Sequence, residues 1–399
     1  MQTTDEARTY PFGAADRLNL DPLYAQLRRS EPLTRVQLPY GEQAWLATRY
    51  EDVRFVLGDP RFSRAASVGR DEPRTHPRQN DSGMLAMDPP DHTRLRKLIA
   101  KAFTARRVET LRPRVTEIAD DLLTEMASKG KPADLVEAFA TPLPVMVICE
   151  LLGVPFDDRH NFHRWSEAIV STTSLSMEQI QEYIGSLHAY MGGLVAQRRV
   201  TETDDLIGAM VRARDENEDR LTEAEMIQLL AGLLAAGHET TVTQIPNFVY
   251  VLLTNPDRWA ELVADRSLVP AAVEELMRYV PLGTAAAFAR YATEDIELGG
   301  VLVKAGDPVL GSLGSANRDE KVFDHPDELD FARESNPHIG FGHGPHHCVG
   351  AQLARMELQI AIDALVRHFP GLTLAVEEPD LRWKSGMLVR GLKELPVTW

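Results

Sequence analysis

Cysteine is almost missing from this chain, with only Cys149 and Cys348 in 399 residues. That excludes a disulfide framework and fits a reduced, cytoplasmic setting. Long apolar runs are missing too, and nothing approaches the about 18 residues that span a membrane. The opening Met1–Glu6 lacks the basic start and apolar stretch of a secretion signal. Cations are in deficit. Lys and Arg number 43 against 59 Asp and Glu, a formal net charge of −16, which excludes a general nucleic-acid binder. No repeat period or Gly-rich phosphate loop occurs, and strands and helices do not alternate as in a nucleotide-binding doubly wound sheet.

What is present is an ordinary globular composition, 44% apolar and 26% charged, enough to bury a substantial core. Residues 1–12 are polar and expected to be loosely held. Most of the chain reads as helix, at 53–57, 104–128, 144–152, 177–199, 271–279 and 351–365. Strand-like pieces fall at 44–48, 298–303, 372–376 and 387–389. The most loop-like stretch is 65–86, and a loop that long inside a compact chain is usually functional or disordered. One helix stands apart. Thr222 and Glu225 form a capping-box pair, and a helical pattern then runs to about Thr254, before Asn255-Pro256. Its middle, 227–237, is nearly all apolar, yet Gly237, His238, Glu239, Thr240 and Thr241 follow, and Pro246 removes a donor and should bend the helix. A buried helix that breaks local rules mid-way is where a functional site is expected.

The stretch Phe341-Gly342-His343-Gly344-Pro345-His346-His347-Cys348-Val349-Gly350 is a stiff, tightly turned loop before a helix. Backbone donors and the helix dipole favour a thiolate at Cys348. A thiolate can serve as nucleophile, zinc ligand or axial haem ligand. No second Cys/His pair completes a zinc site, and no base and orienter are evident for a nucleophile. Cys149, inside an apolar helix, reads as a buried structural residue.

Phe341-x-x-Gly344-x-x-x-Cys348-x-Gly350 resembles the haem-binding signature of the cytochrome P450 superfamily. Ala236-Gly237-His238-Glu239-Thr240-Thr241 is similar to its oxygen-activating helix, and Glu275-Leu276-Met277-Arg278 to its Glu-x-x-Arg motif. Asp88–Arg96 and Ala316–Asp319 resemble strings of soluble bacterial members, especially actinobacterial enzymes that tailor macrolides and other polyketides. The resemblance implies one domain over 1–399, mainly α with small β-sheets. It implies a triangular helical fold with haem b (iron protoporphyrin IX) between the long helix and the Cys loop.

It further implies that Cys348 is the axial iron ligand, with Phe341, Gly342 and Gly350 around it. His92, Arg96, Arg290 and His346 take the haem propionates. Glu239 and Thr240 form the acid–alcohol pair that delivers protons during O2 activation, beside Ala236 and Gly237, whose missing side chain leaves room for dioxygen. A hydroxyl bonded to a carbonyl one turn back is expected of Thr241. Glu275 and Arg278 make a structural ion pair, with Arg333 standing in for an Arg the family usually carries nearby. His338, His343 and His347 are loop structure or solvent-facing.

The expected pocket lining is Leu85, Leu234, Ala235, Leu282, Thr284, Ala285, Ala286, Ala287, Met387 and Leu388, small and apolar near the centre, with room for a bulky substrate. No flavin or nicotinamide motif occurs, so electrons are expected from another protein, and the resemblance implies that they come from NAD(P)H through ferredoxin reductase and ferredoxin. Eight cations against Glu109 alone lie between His92 and Arg114, a local +7 suited to an acidic ferredoxin. The resulting reading is a monomer that hydroxylates or epoxidises a macrolide or polyketide. The alternatives are a steroid, terpenoid or flavonoid substrate, a peroxide-driven haem enzyme, or a non-catalytic haem sensor.

Overall fold

The computed structural model describes residues 6–13, 16–79, 83–154, 159–203, 205–216 and 221–399. Its helices in chain order are α1 (Leu23–Ser30), α2 (Tyr50–Gly58), α3 (Asp91–Ala100), α4 (Ala105–Lys129), α5 (Pro142–Leu152), α6 (Arg159–Val170), α7 (Met177–Val200), α8 (Leu206–Glu216), α9 (Glu223–Leu253), α10 (Pro256–Ala264), α11 (Val269–Tyr279), α12 (Leu313–Ala316) and α13 (Ala351–His368). The strands are β1 (Arg8–Thr9), β2 (Leu33–Gln37), β3 (Ala44–Ala47), β4 (Phe62–Ser63), β5 (Ala133–Asp134), β6 (Arg290–Ala292), β7 (Ile296–Leu298), β8 (Val301–Val303), β9 (Pro308–Gly311), β10 (Thr373–Leu374) and β11 (Pro396–Thr398). The chain is mainly α with small sheets, and it divides into two compact units: residues 1–93 with 274–348, and residues 94–273 with 349–399.

The first unit holds a six-stranded sheet in the order β1-β2-β3-β9-β6-β4. β1 runs parallel to β2 and β3 parallel to β9, while the other neighbours are antiparallel. Helix α2 buries Val53 and Val56 with Trp45, Phe62, Ile296 and Val309 in one apolar cluster. The expectation of a loosely held 1–12 fails where the chain is described. Arg8–Thr9 pairs with Val36–Gln37, and the fully buried Tyr10 shares a hydrogen bond with Tyr24 at 3.0 Å. An aromatic side chain with its hydroxyl satisfied anchors a segment whose neighbours are polar. The strand-like 298–303 is in fact a hairpin, β7–β8, turning at Gly299 and Gly300, both at positive φ.

The second unit is helical, built on α9, with a three-stranded sheet β10-β11-β5. α5, α6, α7 and α13 pack on α9, and α4 packs on α13. The Thr222 hydroxyl accepts from the Glu225 N–H at 3.2 Å, and the Glu225 carboxylate accepts from the Thr222 N–H at 2.8 Å, which closes the capping box. Arg94 also binds Glu225, whose pKa is held at about 2, chiefly by that hydrogen bond. The helix runs unbroken through Pro246 and ends before Asn255-Pro256, since a residue ahead of proline avoids the helical region. The strand-like 387–389 forms no strand, and Met387 makes only an isolated bridge to Ser171.

Candidate active site

The cysteine loop is fixed by its own backbone. The Cys348 N–H donates to Phe341 O at 2.9 Å, the His347 N–H to Gly344 O at 3.0 Å, and the Gly342 N–H to Ile339 O at 2.8 Å. Gly344 sits at φ +71°, where a Cβ would lie 2.3 Å from Leu57 O, so no other residue fits there. Cys348 is exposed and in no disulfide, whereas Cys149 is buried. Gly350 is the residue that caps the N-terminus of α13.

Cationic side chains gather in the same unit. His92 is buried, and its ring centroid lies 4.3 Å from that of His346. Burial, then His92, Arg290 and Arg64, push the His346 pKa down to about 3. Arg290 is also buried, and burial with the neighbouring Arg64 lowers its pKa to about 10. The nearby carboxylate, Asp88, is already engaged by the Arg64 N–H at 2.9 Å, the Ala65 N–H at 3.3 Å and the Ser63 hydroxyl. Arg64 was not singled out in the sequence. Its Nε donates to Leu85 O at 3.0 Å and its Nη1 to Ala289 O and to Glu72 at 3.3 Å. Its Nη2 is buried without a partner among the described residues. Only its place directly after β4 could have hinted at it. Two buried guanidiniums beside two stacked imidazoles, with one arm of Arg64 unpartnered among the described residues, offer donors that fit an anionic ligand.

Behind the loop, Glu275 is a hub. Arg278 donates to it at 2.7 and 2.8 Å, Arg333 at 3.1 and 3.2 Å, Asn336 at 3.2 Å and the Asp330 N–H at 3.0 Å. Its pKa is lowered because these hydrogen bonds outweigh the burial that opposes them. His338 is paired with Glu274 at 2.9 Å and is not solvent-facing.

On α9, Gly232 and Ala236 are exposed and Gly237 and Thr240 half-buried, while nearly all other side chains of the middle are buried. Positions 232, 236 and 240 are four apart and so share one face. Leu234 and Ala235, expected to line the pocket, are buried at 0% and 2% exposure. Each residue turns a helix by about 100°, which rotates Leu234 well away from the open stripe. Glu239 is fully buried. Its Oε1 accepts from Lys384 Nζ at 2.9 Å, and its Oε2 has no partner among the described residues. The Thr240 hydroxyl donates to Ala236 O at 2.7 Å, the back-bond expected of Thr241. Helix α9 is unbroken at Gly237, and a Cβ there would lie 3.1 Å from Ile148 Cδ1. Gly237 therefore packs closely on α5.

The remaining pocket candidates divide. Leu85 and Ala287 are exposed, and Leu282, Thr284 and Ala285 half-buried. Ala286 is buried in a cluster with Tyr10, and its N–H donates to the Tyr10 hydroxyl at 2.6 Å, so sheet packing explains its size. Phe288 is exposed at φ +59°, a strained conformation for a bulky residue. Met387 is buried, with its sulfur 3.2 Å from the Ser174 hydroxyl, and Leu388 is half-buried. Arg96 is half-buried on α3.

The model of the cytochrome P450 family matches residues 20–395. The chain belongs to the cytochrome P450 family. It is 54% identical to mycinamicin IV hydroxylase/epoxidase of Micromonospora griseorubida and 53% identical to nocardicin C N-oxygenase of Nocardia uniformis subsp. tsuyamanensis, each over 100% of both chains. The crystal structure of HinD with NMFT and NO matches at a TM-score of 0.95 with 49% identity, covering 99% of this chain and 100% of that one. This P450 is thus a monooxygenase, whose family carries haem iron, uses O2, receives electrons from redox partners and binds small-molecule substrates. The residues fit that group: an exposed thiol on a pinned loop suits a soft metal ligand, and the buried cation cluster suits the haem's carboxylates.

Proposed function

We propose that this P450 hydroxylates or epoxidises a bulky, mostly apolar natural product of the macrolide or polyketide class, with residues 1–399 acting as one functional domain. Cys348, exposed on a loop that its own backbone clamps, carries the reading. When bound, haem supplies the redox chemistry that activates O2. Cys348 Sγ would ligate the iron, with Phe341, Gly342 and Gly350 shaping the loop around it. Arg290 and Arg64 would offset the propionate charge while His346 and His92 would donate hydrogen bonds, and Arg96 joins them by family resemblance. Glu239 takes up and releases protons, and Thr240 Oγ1, whose own proton is directed at Ala236 O, accepts a hydrogen bond and holds water in place. Glu275 with Arg278, Arg333 and Asn336 is structural support and does no chemistry. Leu85, Ala287 and Phe288 are exposed and available to a substrate.

Electrons are proposed to come from NAD(P)H through a reductase and an acidic ferredoxin, delivered to a monomer in the cytoplasm. Lys101, Arg106 and Arg107 line an open cleft of about 720 Å³ at the start of α4 together with Glu150 and Asp205, and the small excess of cations supports an acidic partner. A second reaction type, N-oxygenation, is supported by the nearly equal identity to the nocardicin C enzyme.

Two spectra test the proposal. Reduced protein with carbon monoxide should show the thiolate-specific band, and Cys348→Ser should lose it, because an alcohol stays protonated where a thiol ionises. Retention of the band would overturn the ligand assignment. Mycinamicin IV and nocardicin C should be compared for the shift each causes in the haem absorption spectrum. A response to nocardicin C alone would favour N-oxygenation.

A further inference from the structure

The tail of the second unit carries a hairpin over 382–393. Trp383 bridges Leu392, the Lys384 N–H donates to Gly391 O at 2.7 Å, and the Lys393 N–H to Arg382 O at 2.8 Å. This hairpin lies along one face of α9, at positions three to four residues apart. Lys384 Nζ reaches Glu239 at 2.9 Å and Thr243 Oγ1 at 3.5 Å. Gly391 presses on Thr243 so closely that a Cβ would sit 2.6 Å from Thr243 Cγ2. Asn247 Nδ2 donates to Arg390 O at 2.8 Å, and Trp383 stacks edge-on against Tyr250 with centroids 5.2 Å apart. At its tip, Gly386 O accepts from the Thr172, Thr173 and Ser174 N–H groups at 2.8, 3.0 and 3.2 Å.

We infer that Lys384 is the positioning residue of the proton relay: its ammonium fixes one oxygen of the buried Glu239 and leaves the other to exchange protons. The inference rests on Glu239 acting as the relay acid. A buried carboxylate needs a partner to remain charged, and Lys384 is the cation that meets it. With Oε1 held, Oε2, buried and without a partner among the described residues, is the oxygen left to take a proton. A proton from hydronium in bulk water passes to Oε2 and then to a water hydrogen-bonded to Thr240 Oγ1; that water gives one of its own protons onward, and the carboxylate is restored. Lys384 keeps all its protons throughout. Because the pair is held from a hairpin anchored at both its tip and its base, the carboxylate is confined to one orientation. Without the ammonium it could turn away or stay protonated, and delivery would slow.

The test uses holoenzyme throughout. Resting enzyme treated with acetic anhydride should modify Lys384 about tenfold more slowly than the exposed Lys393, since a half-buried amine paired with a carboxylate is less available, and Glu239→Gln should remove that protection. Equal labelling of the two lysines would overturn the pairing. Ferredoxin-supported oxygen consumption is then followed with mycinamicin IV present, a rate that can be read whether or not the macrolide is oxidised. Lys384→Met should slow it about tenfold and raise its solvent deuterium effect, Lys384→Arg should largely restore it, and Lys393→Met should match wild type. In Glu239→Gln, adding Lys384→Met should cost nothing further, because the two act as one unit. If Lys384→Met matched wild type while Glu239→Gln was slow, Lys384 would have no such role. If Glu239→Gln itself matched wild type, the relay reading would fall first.

Discussion

A hydroxyl that gives its proton to the carbonyl one turn back still has lone pairs to accept with, and that is the state of Thr240. Thr240→Ala should therefore bind haem and substrate normally. It should nevertheless release more hydrogen peroxide and form less product per NAD(P)H, by about tenfold or more if the hydroxyl contributes as other relay groups do. Unchanged coupling in a peroxide assay would exclude the role. Asp52 behaves differently. It is buried with Oδ2 unpartnered among the described residues, and burial, then Glu51, raise its pKa to about 6 from 3.8. The native state thus holds a proton that the unfolded state has released between those values. Stability should fall as pH rises from about 4 to 6, and stay lower above that window. Asp52→Asn should remove this decline, gaining on the order of 1 kcal/mol at pH 7 and nothing at pH 4, as urea melts at the two pH values would show. No sequence pattern marks Asp52, because its shift comes from what packs over it.

Among the elements, α9 was the most legible. A capping box at one end and Asn-Pro at the other bracket an apolar run, and the helix occupies almost that span. Local chemistry sets both ends, so local sequence suffices. Thr222→Ala should cost about 1 kcal/mol in a urea melt, by loss of the cap. The cysteine loop was equally legible, since its glycines answer to backbone geometry. Glu275 with Arg278 could be read from their spacing, and Arg333 from the family's usual need for a third charge. Lys384 could not be read. It lies 145 residues from Glu239, and only the docking of a tail hairpin brings them together. Nor could Arg64, whose partners are two backbone oxygens and Glu72. The alanines of 285–287 looked alike in sequence, yet one serves sheet packing and another is exposed.

For the whole molecule, charge is unevenly spread, but less so than counting suggests. Of the eight cations between His92 and Arg114, Arg94 is paired with Glu225, Arg112 with Glu109 and Arg114 with Glu117. Lys97, Lys101 and Arg106 remain exposed on α3, α4 and the turn joining them. Reversing these three to Glu should slow reduction by ferredoxin about tenfold at low salt and leave dithionite reduction intact, because steering acts over roughly 8–10 Å. The wild-type rate should fall as salt rises, and the variant rate should barely respond. Equal loss with both reductants in stopped-flow would point to a damaged haem site instead. The division of the chain also has a consequence during synthesis. Neither unit is continuous in sequence: the first closes only when 274–348 has been made, and the second only when 349–399 follows. A ribosome building this protein must therefore release most of it before either half can finish folding, and Cys348 is the last residue the first half receives. Cofactor capture then comes at the end of translation, with long apolar helices waiting for partners, so slowed synthesis or scarce haem should show first as aggregated chain rather than as stable empty protein.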